Sequence, residues 1–388
     1  VALNCSIRQV RDKGAFEMTS TSDYDVIIIG ARVAGSTLAT ILGEKGYRVL
    51  VLDRSTFPSD TISTHFFRAP ALRAFNEIGV YKEVQSVAPH LKVNYNVIDG
   101  IEFPEPVDRP DDYQFYMCVR RLLLDDILVR RVRQIPNIEL REGVRVKGLL
   151  WNNDYVTGIV WEDSNQRGEE RAKVIVGADG VNSFLAKEVN VQAEHKEPVN
   201  RAMYYAYYSR ITAKEGPAAE FHYKGNTLVY CFPCDSDLAL VAASIPISQF
   251  ATFKHNLENE FKNVLKSMTA LAPRILDAVR ESPIRGSGNI PGYLRIPYGN
   301  GWALVGDSGM VMDPWSGQGM DQASTQSLLL AKYLDNYFSG RQDWKTAMHA
   351  YHLDRNEFSL KTYQRTCKFS VDLRPMTSAA LKRRGLSN

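Results

Sequence analysis

The chain has 388 residues, 44% hydrophobic and 23% charged, which is globular composition and more than one typical domain. Its 47 Lys and Arg against 44 Asp and Glu leave a net charge of +3, too little to point to nucleic acid, and no basic stripe is interleaved with aromatics. No apolar run reaches the roughly 18 residues of a membrane span. Residues 1–22 lack the apolar stretch of a secretory signal and read as a loose extension, with Met18 as an alternative start. An odd and sparse set of five cysteines fits a reducing, cytoplasmic setting without a disulfide framework.

In chain order, Asp25 to Ile29 is a β-branched run suited to a parallel strand buried on both faces. Gly30 to Gly35 follows, then a helix over 36–45 and a second buried strand, Arg48 to Leu52, which together make a βαβ unit. Helices are predicted over 69–78 and 122–135, strands over 144–151 and 155–161, and a buried strand from Lys173 to Gly177. From about residue 195 the texture changes to meander strands at 203–210, 227–232 and 238–245, followed by a helical stretch over 249–278. Gly301 to Val305 returns to the βα texture, and 319–337 is a long helix. A nucleotide-binding domain in three pieces, interrupted by an antiparallel domain, is the expected architecture.

Gly30-Ala-Arg-Val-Ala-Gly35 occupies the place of a dinucleotide fingerprint, and Asp53 ends the second strand where an acid reaches a ribose hydroxyl. The helix that follows would turn its free N–H groups toward a pyrophosphate. The middle glycine is replaced by Arg32, whose side chain must either point away or meet phosphate with its guanidinium. Gly177-Ala-Asp179-Gly180 and Gly306-Asp307 end two further strands, at the edge where open α/β sheets bind ligands. Gly317-Gln-Gly319-Met320 leads into a helix whose N-terminus can stabilise negative charge.

These motifs, together with Asp53-Arg54 and Arg121-x-x-Leu124-Asp125, occur in the order and spacing of one family. Over roughly residues 24–370 the chain resembles the single-component FAD-dependent monooxygenases of the p-hydroxybenzoate hydroxylase fold and the related geranylgeranyl reductases. The resemblance implies a Rossmann-like FAD-binding domain over 23–90, 115–190 and 290–340. It implies an inserted antiparallel β-sheet substrate domain over 91–114 and 195–289, and C-terminal helices over 341–388. Gly30, Ala34 and Gly35 would hold the pyrophosphate with Arg32 beside them, Asp53 the ribose, and Arg54 and the Val146 backbone the adenine. Arg121 would contact the phosphate or ribityl region, Asp179 both FAD and transient NADH or NADPH, and Asp307 the ribityl chain. Gly317, Gly319 and Met320 would line the flavin pyrimidine edge, and Ser63 to Phe66 the loop beside the ring.

Two further residues are candidates for catalysis. His65 is either a proton donor near the flavin or a positioning histidine. Trp315 either caps the cavity by the flavin or belongs to the core. Tyr204, Tyr205, Tyr207 and Tyr208 alternate along one strand, so one pair is expected to line an aromatic pocket and the other to pack. Cys231-Phe-Pro-Cys234 lacks the partners of a zinc site or the helix of a redox motif, and no metal ligand set stands out.

The resemblance implies an NAD(P)H-dependent monooxygenase that hydroxylates or epoxidises an apolar or aromatic small molecule with O2 through a flavin C4a-hydroperoxide. Two alternatives stand beside it: a reductase of carbon–carbon double bonds, and a non-catalytic flavin-binding or electron-transfer protein. The Trp-x-Trp-x-Ile-Pro signature of flavin halogenases is absent, which weighs against that branch.

Overall fold

The run Tyr24–Ile29 forms the central strand of a parallel sheet because Val26, Ile27 and Ile28 have no exposed surface on either face. Its neighbours come from distant parts of the chain: Arg167–Gly177 on one side and Val49–Asp53 on the other, with Trp302–Leu304 and Ile138–Glu142 beyond them, all parallel. The computed structural model of the chain describes residues 23–108, 113–212, 214 and 216–386, so the expected extension over 1–22 lies outside the described residues.

One face of this sheet is covered by the helices Val33–Glu44, Arg121–Arg133 and Gly319–Phe338, whose apolar sides share a core with the strands. The other face lies against the antiparallel meander Arg145–Asn152 and Tyr155–Glu162, which continues into the outer end of Arg167–Gly177. The helix Trp344–Val371 runs along the back, where Trp344 donates to the Gly299 carbonyl and Tyr351 to the Leu304 carbonyl. The helix Arg374–Arg383 completes the expected helical C-terminus.

The second sheet is built from 93–106 and 201–287 in the strand order Val279–Arg280, Arg201–Ser209, Ala239–Pro246, Thr227–Pro233, Ala218–Lys224, Val93–Ile98, Ile101–Pro106. It is antiparallel except for one contact, Ala218–Lys224 against Val93–Ile98, which is parallel because the two strands enter from separate segments rather than through a hairpin. The helical stretch expected over 249–278 is made of three short helices, Phe250–His255, Leu257–Ser267 and Ala272–Leu276. Asn256 leaves helical geometry between the first two, and Pro273 restarts the third. Tyr205 and Tyr207 face the nucleotide-binding half, while Tyr204 and Tyr208 pack with Phe253 and Phe261 under these helices, as the alternation requires.

The two halves meet at the carboxyl ends of the parallel strands, where backbone approach is tight. A Cβ on Gly35 would lie 1.8 Å from the Gly30 carbonyl oxygen, and one on Gly30, whose φ is +106°, 2.5 Å from the Ala178 oxygen. Gly35→Ala is therefore expected to cost about 3 kcal/mol, at the upper end of overpacking. Urea denaturation checks this as a lowered midpoint with unchanged slope.

Candidate active site

The turn after the first strand is fixed by the acid at the end of the second. Asp53 accepts from the Ala31 N–H at 2.8 Å through one carboxylate oxygen and from the Ser55 N–H at 2.7 Å through the other. It is buried, whereas Arg54 beside it is exposed. The helix Val33–Glu44 has no side-chain cap and no acid in its first turn, so its leading N–H groups face outward as an anion berth.

Arg32 takes the first of the two courses open to it and turns from that berth. Its guanidinium donates to the Ser59 carbonyl and hydroxyl, to the Asp60 carbonyl and to the carboxylate of Asp125. Asp125, fully buried, also holds Arg121 through its other oxygen at 2.9 and 2.8 Å. One carboxylate thus bridges two guanidinium groups and fixes both of them.

Asp179 sits in the adjoining turn, where one carboxylate oxygen accepts from the Phe184 N–H at 2.6 Å and burial raises its pKa. Its other oxygen has no partner among the described residues. Val146 lies in the meander opposite Trp161, two residues past Val144, whose N–H donates to the Asp53 carbonyl.

The third strand end carries Asp307. Ser308 ties this turn to the Gly177 carbonyl, Gln326 accepts from the Gly306 N–H, and the Tyr293 hydroxyl lies 2.7 Å from the Asp307 carbonyl oxygen. The Asp307 side chain is exposed although protein groups crowd around it. That enclosure pushes its carboxyl up to about 6 while the charge of Arg121 pulls it down. Water reaching the exposed oxygens also opposes the rise, so the carboxylate is ionised at neutral pH.

Pro314 to Met320 form the turn into the long helix. Arg68 clamps this turn: it donates to the Ser316 and Gly317 carbonyls at 2.9 and 2.8 Å and pairs with Asp321 at 3.0 Å. The same guanidinium lies over the rings of Phe66 and Tyr116. Nothing lies within 4 Å of where a Gly319 Cβ would be, so the helix start presents bare backbone to open space, with Met320 buried behind it. Neither Arg68 nor the bracing role of Asp125 was singled out from sequence. For Asp125 the signal was present, since it lies four residues after Arg121 on a helix.

His65 has a left-handed backbone, φ +60°, and a fully buried ring. Nδ1 donates to the Ser63 carbonyl at 2.7 Å, which leaves Nε2 to accept from the Tyr207 hydroxyl. Burial first, and then the charge of Arg121, push the imidazole down to about 3. That shift keeps the ring neutral near pH 7, and its two hydrogen bonds favour the positioning role over the proton donor.

Trp315 is likewise committed. Its indole N–H donates to the Thr366 carbonyl at 3.0 Å, and its own carbonyl accepts from Tyr230. It joins Phe66, Tyr205, Tyr207, Tyr230 and Phe232 in one buried layer. The expected aromatic pocket is therefore a close-packed face, with Phe66 stacked on Phe232 at 4.7 Å between centroids. Cys231 and Cys234 belong to opposite faces of this sheet, which separates the two thiols of the CxxC. Among the described residues no group of three or more His, Cys, Asp or Glu could hold a metal ion, and no helix is long and apolar enough to cross a membrane.

At the carboxyl edge of the parallel sheet, an uncapped helix N-terminus beside a strand-end acid suits a diphosphate and its ribose. The bare flank at Gly319 gives room for a planar ring, and the residues present fit FAD. The chain belongs to the FAD binding domain family, whose model matches residues 23–263, and it is a FAD-dependent oxidoreductase of the monooxygenase and hydroxylase group.

Among its relatives, a 1H-pyrrole-2-carbonyl-[peptidyl-carrier protein] brominase of Pseudoalteromonas luteoviolacea is 23% identical over 86% of this chain and 82% of its own. A 3-(3-hydroxy-phenyl)propionate/3-hydroxycinnamic acid hydroxylase of Comamonas testosteroni is 24% identical over 85% of this chain, which spans only 57% of that longer enzyme. Digeranylgeranylglycerophospholipid reductase 1 of Methanopyrus kandleri is 24% identical, over 78% and 77% of the two chains. The solved structure of a myxobacterial chondrochloren halogenase, described as a new variant of FAD-dependent halogenases, superposes with a TM-score of 0.80 at 21% identity, over 88% and 81% of the chains.

The neutral state of His65 has a thermodynamic consequence. Below about pH 6.5 the unfolded chain binds a proton that the folded ring refuses, so this group lowers stability as pH falls through that range. His65→Asn should remove up to about 1.4 kcal/mol per pH unit of that slope between pH 6 and 4. Tm measured against pH for both proteins checks it: equal slopes would mean that the imidazole is charged in the fold.

Proposed function

We propose that this chain is an NAD(P)H-dependent FAD monooxygenase that oxygenates an apolar or aromatic small molecule held against the second sheet. The carrying observation is the position of Arg68, whose one guanidinium grips the 316–321 turn and covers Phe66 and Tyr116 of the aromatic layer. The surface suited to a flavin ring and the surface suited to an apolar substrate thus lie within one side chain of each other. A reducing cytoplasmic setting is part of the same proposal.

Bound FAD supplies two-electron transfer from NADH or NADPH and reaction with O2; the chain supplies position, field and dryness. The first-turn N–H groups around Ala34 and Gly35 take the diphosphate, and the spare lone pairs of Asp53 take the ribose. Arg54 and the Val146 backbone flank the adenine. Arg121 brings a positive charge to the phosphate or ribityl region, Asp179 holds the turn beside it, and Asp307 accepts from the ribityl hydroxyls. Backbone N–H groups from Gly317 to Met320 stabilise negative charge on the pyrimidine edge. Tyr207, held by His65, and the buried rings behind it exclude water from the substrate side.

The brominase alignment, which spans most of both chains, favours a second reading: the same oxygen chemistry spent on a halide. Turnover of substituted phenols, indoles and pyrroles under 18O2 separates the readings. One atom of label in the product is expected. A bromide-dependent mass gain would replace hydroxylation by halogenation, and hydrogenated product under strict anaerobiosis would replace both by reduction. Gly319→Ala, with open space where its methyl would go, should change stability by no more than about 0.5 kcal/mol while weakening FAD binding measurably by flavin fluorescence. Unchanged affinity would remove the ring from that turn.

A further inference from the structure

We infer that Arg32, standing where the fingerprint's second glycine would be, is a clasp that holds the strap of residues 57–65 at the rim of the dinucleotide berth and thereby sets how slowly FAD leaves. The inference rests on the reading of that berth as the FAD site.

Three observations carry it. First, both terminal nitrogens of Arg32 are committed to the strap and to Asp125. Nη1 donates to the Ser59 carbonyl at 3.1 Å and to Asp125, and Nη2 to the Ser59 hydroxyl at 3.1 Å and the Asp60 carbonyl at 3.3 Å. The guanidinium also lies over the Phe57 ring, 5.4 Å from its centroid. A planar fork already bonded to three oxygens and a carboxylate presents no free pair of donors to a phosphate.

Second, the strap is fastened at other points to parts of the molecule far apart in sequence. The Phe57 N–H donates to Glu142 at 2.7 Å, in the strand next to Val49–Asp53. The Asp60 carboxylate pairs with Arg285 of the second sheet, and His65 pairs with Tyr207 of the same sheet. Between these attachments Ile62 is half exposed. The strap thus spans from the nucleotide half to the substrate sheet, and Arg32 secures it at Ser59 and Asp60.

Third, Asp125 is shared. Fully buried, it divides its two oxygens between Arg32 and Arg121. Without Arg32, one oxygen loses its partner and Arg121 is drawn to satisfy both, which shifts its guanidinium from the position that its bonds to the other oxygen now fix. Loss of the clasp frees the strap and displaces Arg121 together, so the ordinary glycine would be worse here than the arginine. Fingerprint reasoning alone predicts the reverse.

The test measures FAD dissociation from holoprotein by recovery of flavin fluorescence, with limited proteolysis of the strap as a second readout, for wild type, Arg32→Gly, Arg32→Lys and Asp60→Asn. Arg32→Gly should release FAD at least about tenfold faster, the equivalent of one lost charge-assisted bond, and should be cut faster within 57–65. Arg32→Lys should fall between it and wild type, and it carries the test if the glycine variant does not fold. Asp60→Asn, which keeps the carbonyl bond to Arg32 but loses the pair with Arg285, should release FAD faster than wild type and more slowly than Arg32→Gly. Equal or slower release from Arg32→Gly, or from Arg32→Lys standing in for it, overturns the clasp. Failure of wild type to bind FAD overturns the reading of the berth instead. Proteolysis of the apoproteins then still decides the clasp, because equal cutting within 57–65 would refute it.

Discussion

Three strand ends from distant parts of the chain meet at one junction, and backbone contact at Gly30, Gly35 and Ala178 makes that possible. The would-be Cβ of Gly35 falls well inside the radius of the Gly30 carbonyl oxygen, so the helix Val33–Glu44 reaches the sheet only because that atom is missing. The same contact seats the turn at 177–180 beside the first turn and, through Ser308, draws the Asp307 turn to the Gly177 carbonyl. Arg121, Asp53 and the start of the long helix are ordered around this junction. A change far away in sequence but near it in space alters all of them together.

The electrostatics follow from the same crowding. Arg121 acts on two titratable groups at once and in chemically opposite contexts. It lowers Asp307 against the rise that enclosure imposes, and it lowers His65 in the same direction as burial. Enclosure works against the charge on Asp307 while Arg121 favours it, and burial and Arg121 together keep His65 neutral. A neutral His65 with its proton on Nδ1 can only accept at Nε2, so the Tyr207 hydroxyl is oriented by the protonation state of its partner. Removing Arg121 would disturb cofactor berth and sheet face through charge alone, before any side chain moved.

Much of this was legible in the sequence, and the reason is local. The β-branched runs at 26–29 and 174–176 are buried on both faces and so are apolar throughout, which is a pattern that needs no partner to be read. The tyrosines at 204–208 alternate as any strand must. Three other features depend on contacts no local pattern records. The strand Ala218–Lys224 hides its period because Glu220 and His222 point inward, Glu220 balanced by Arg274 from another segment and His222 bonded to Glu220. Arg68 reads as a surface residue before a helix, and only the fold brings it to Ser316 and Asp321. The destination of Arg32 depends on the strap lying beside Asp125, a juxtaposition of residues 59 and 125 that spacing does not reveal.

The aromatic layer shows why the substrate is harder to read than the cofactor. A cofactor berth is lined by backbone, and the geometry of glycines and helix ends leaves a trace in the sequence. The sheet face opposite it is lined by rings that satisfy one another: Phe66 on Phe232, Phe221 edge-on to both Phe232 and Tyr230, Tyr205 edge-on to Tyr207. A face that packs this well against itself can admit a substrate only by exchanging ring–ring contacts for ring–substrate contacts, so affinity is the small difference between two similar sums. Polar anchors therefore decide specificity, and on this face the buried Tyr205 hydroxyl makes no hydrogen bond of ordinary geometry among the described residues. A substrate bearing a hydrogen-bonding group at that point satisfies a buried polar atom in addition to filling space, which is the kind of contact that discriminates strongly between otherwise similar apolar molecules.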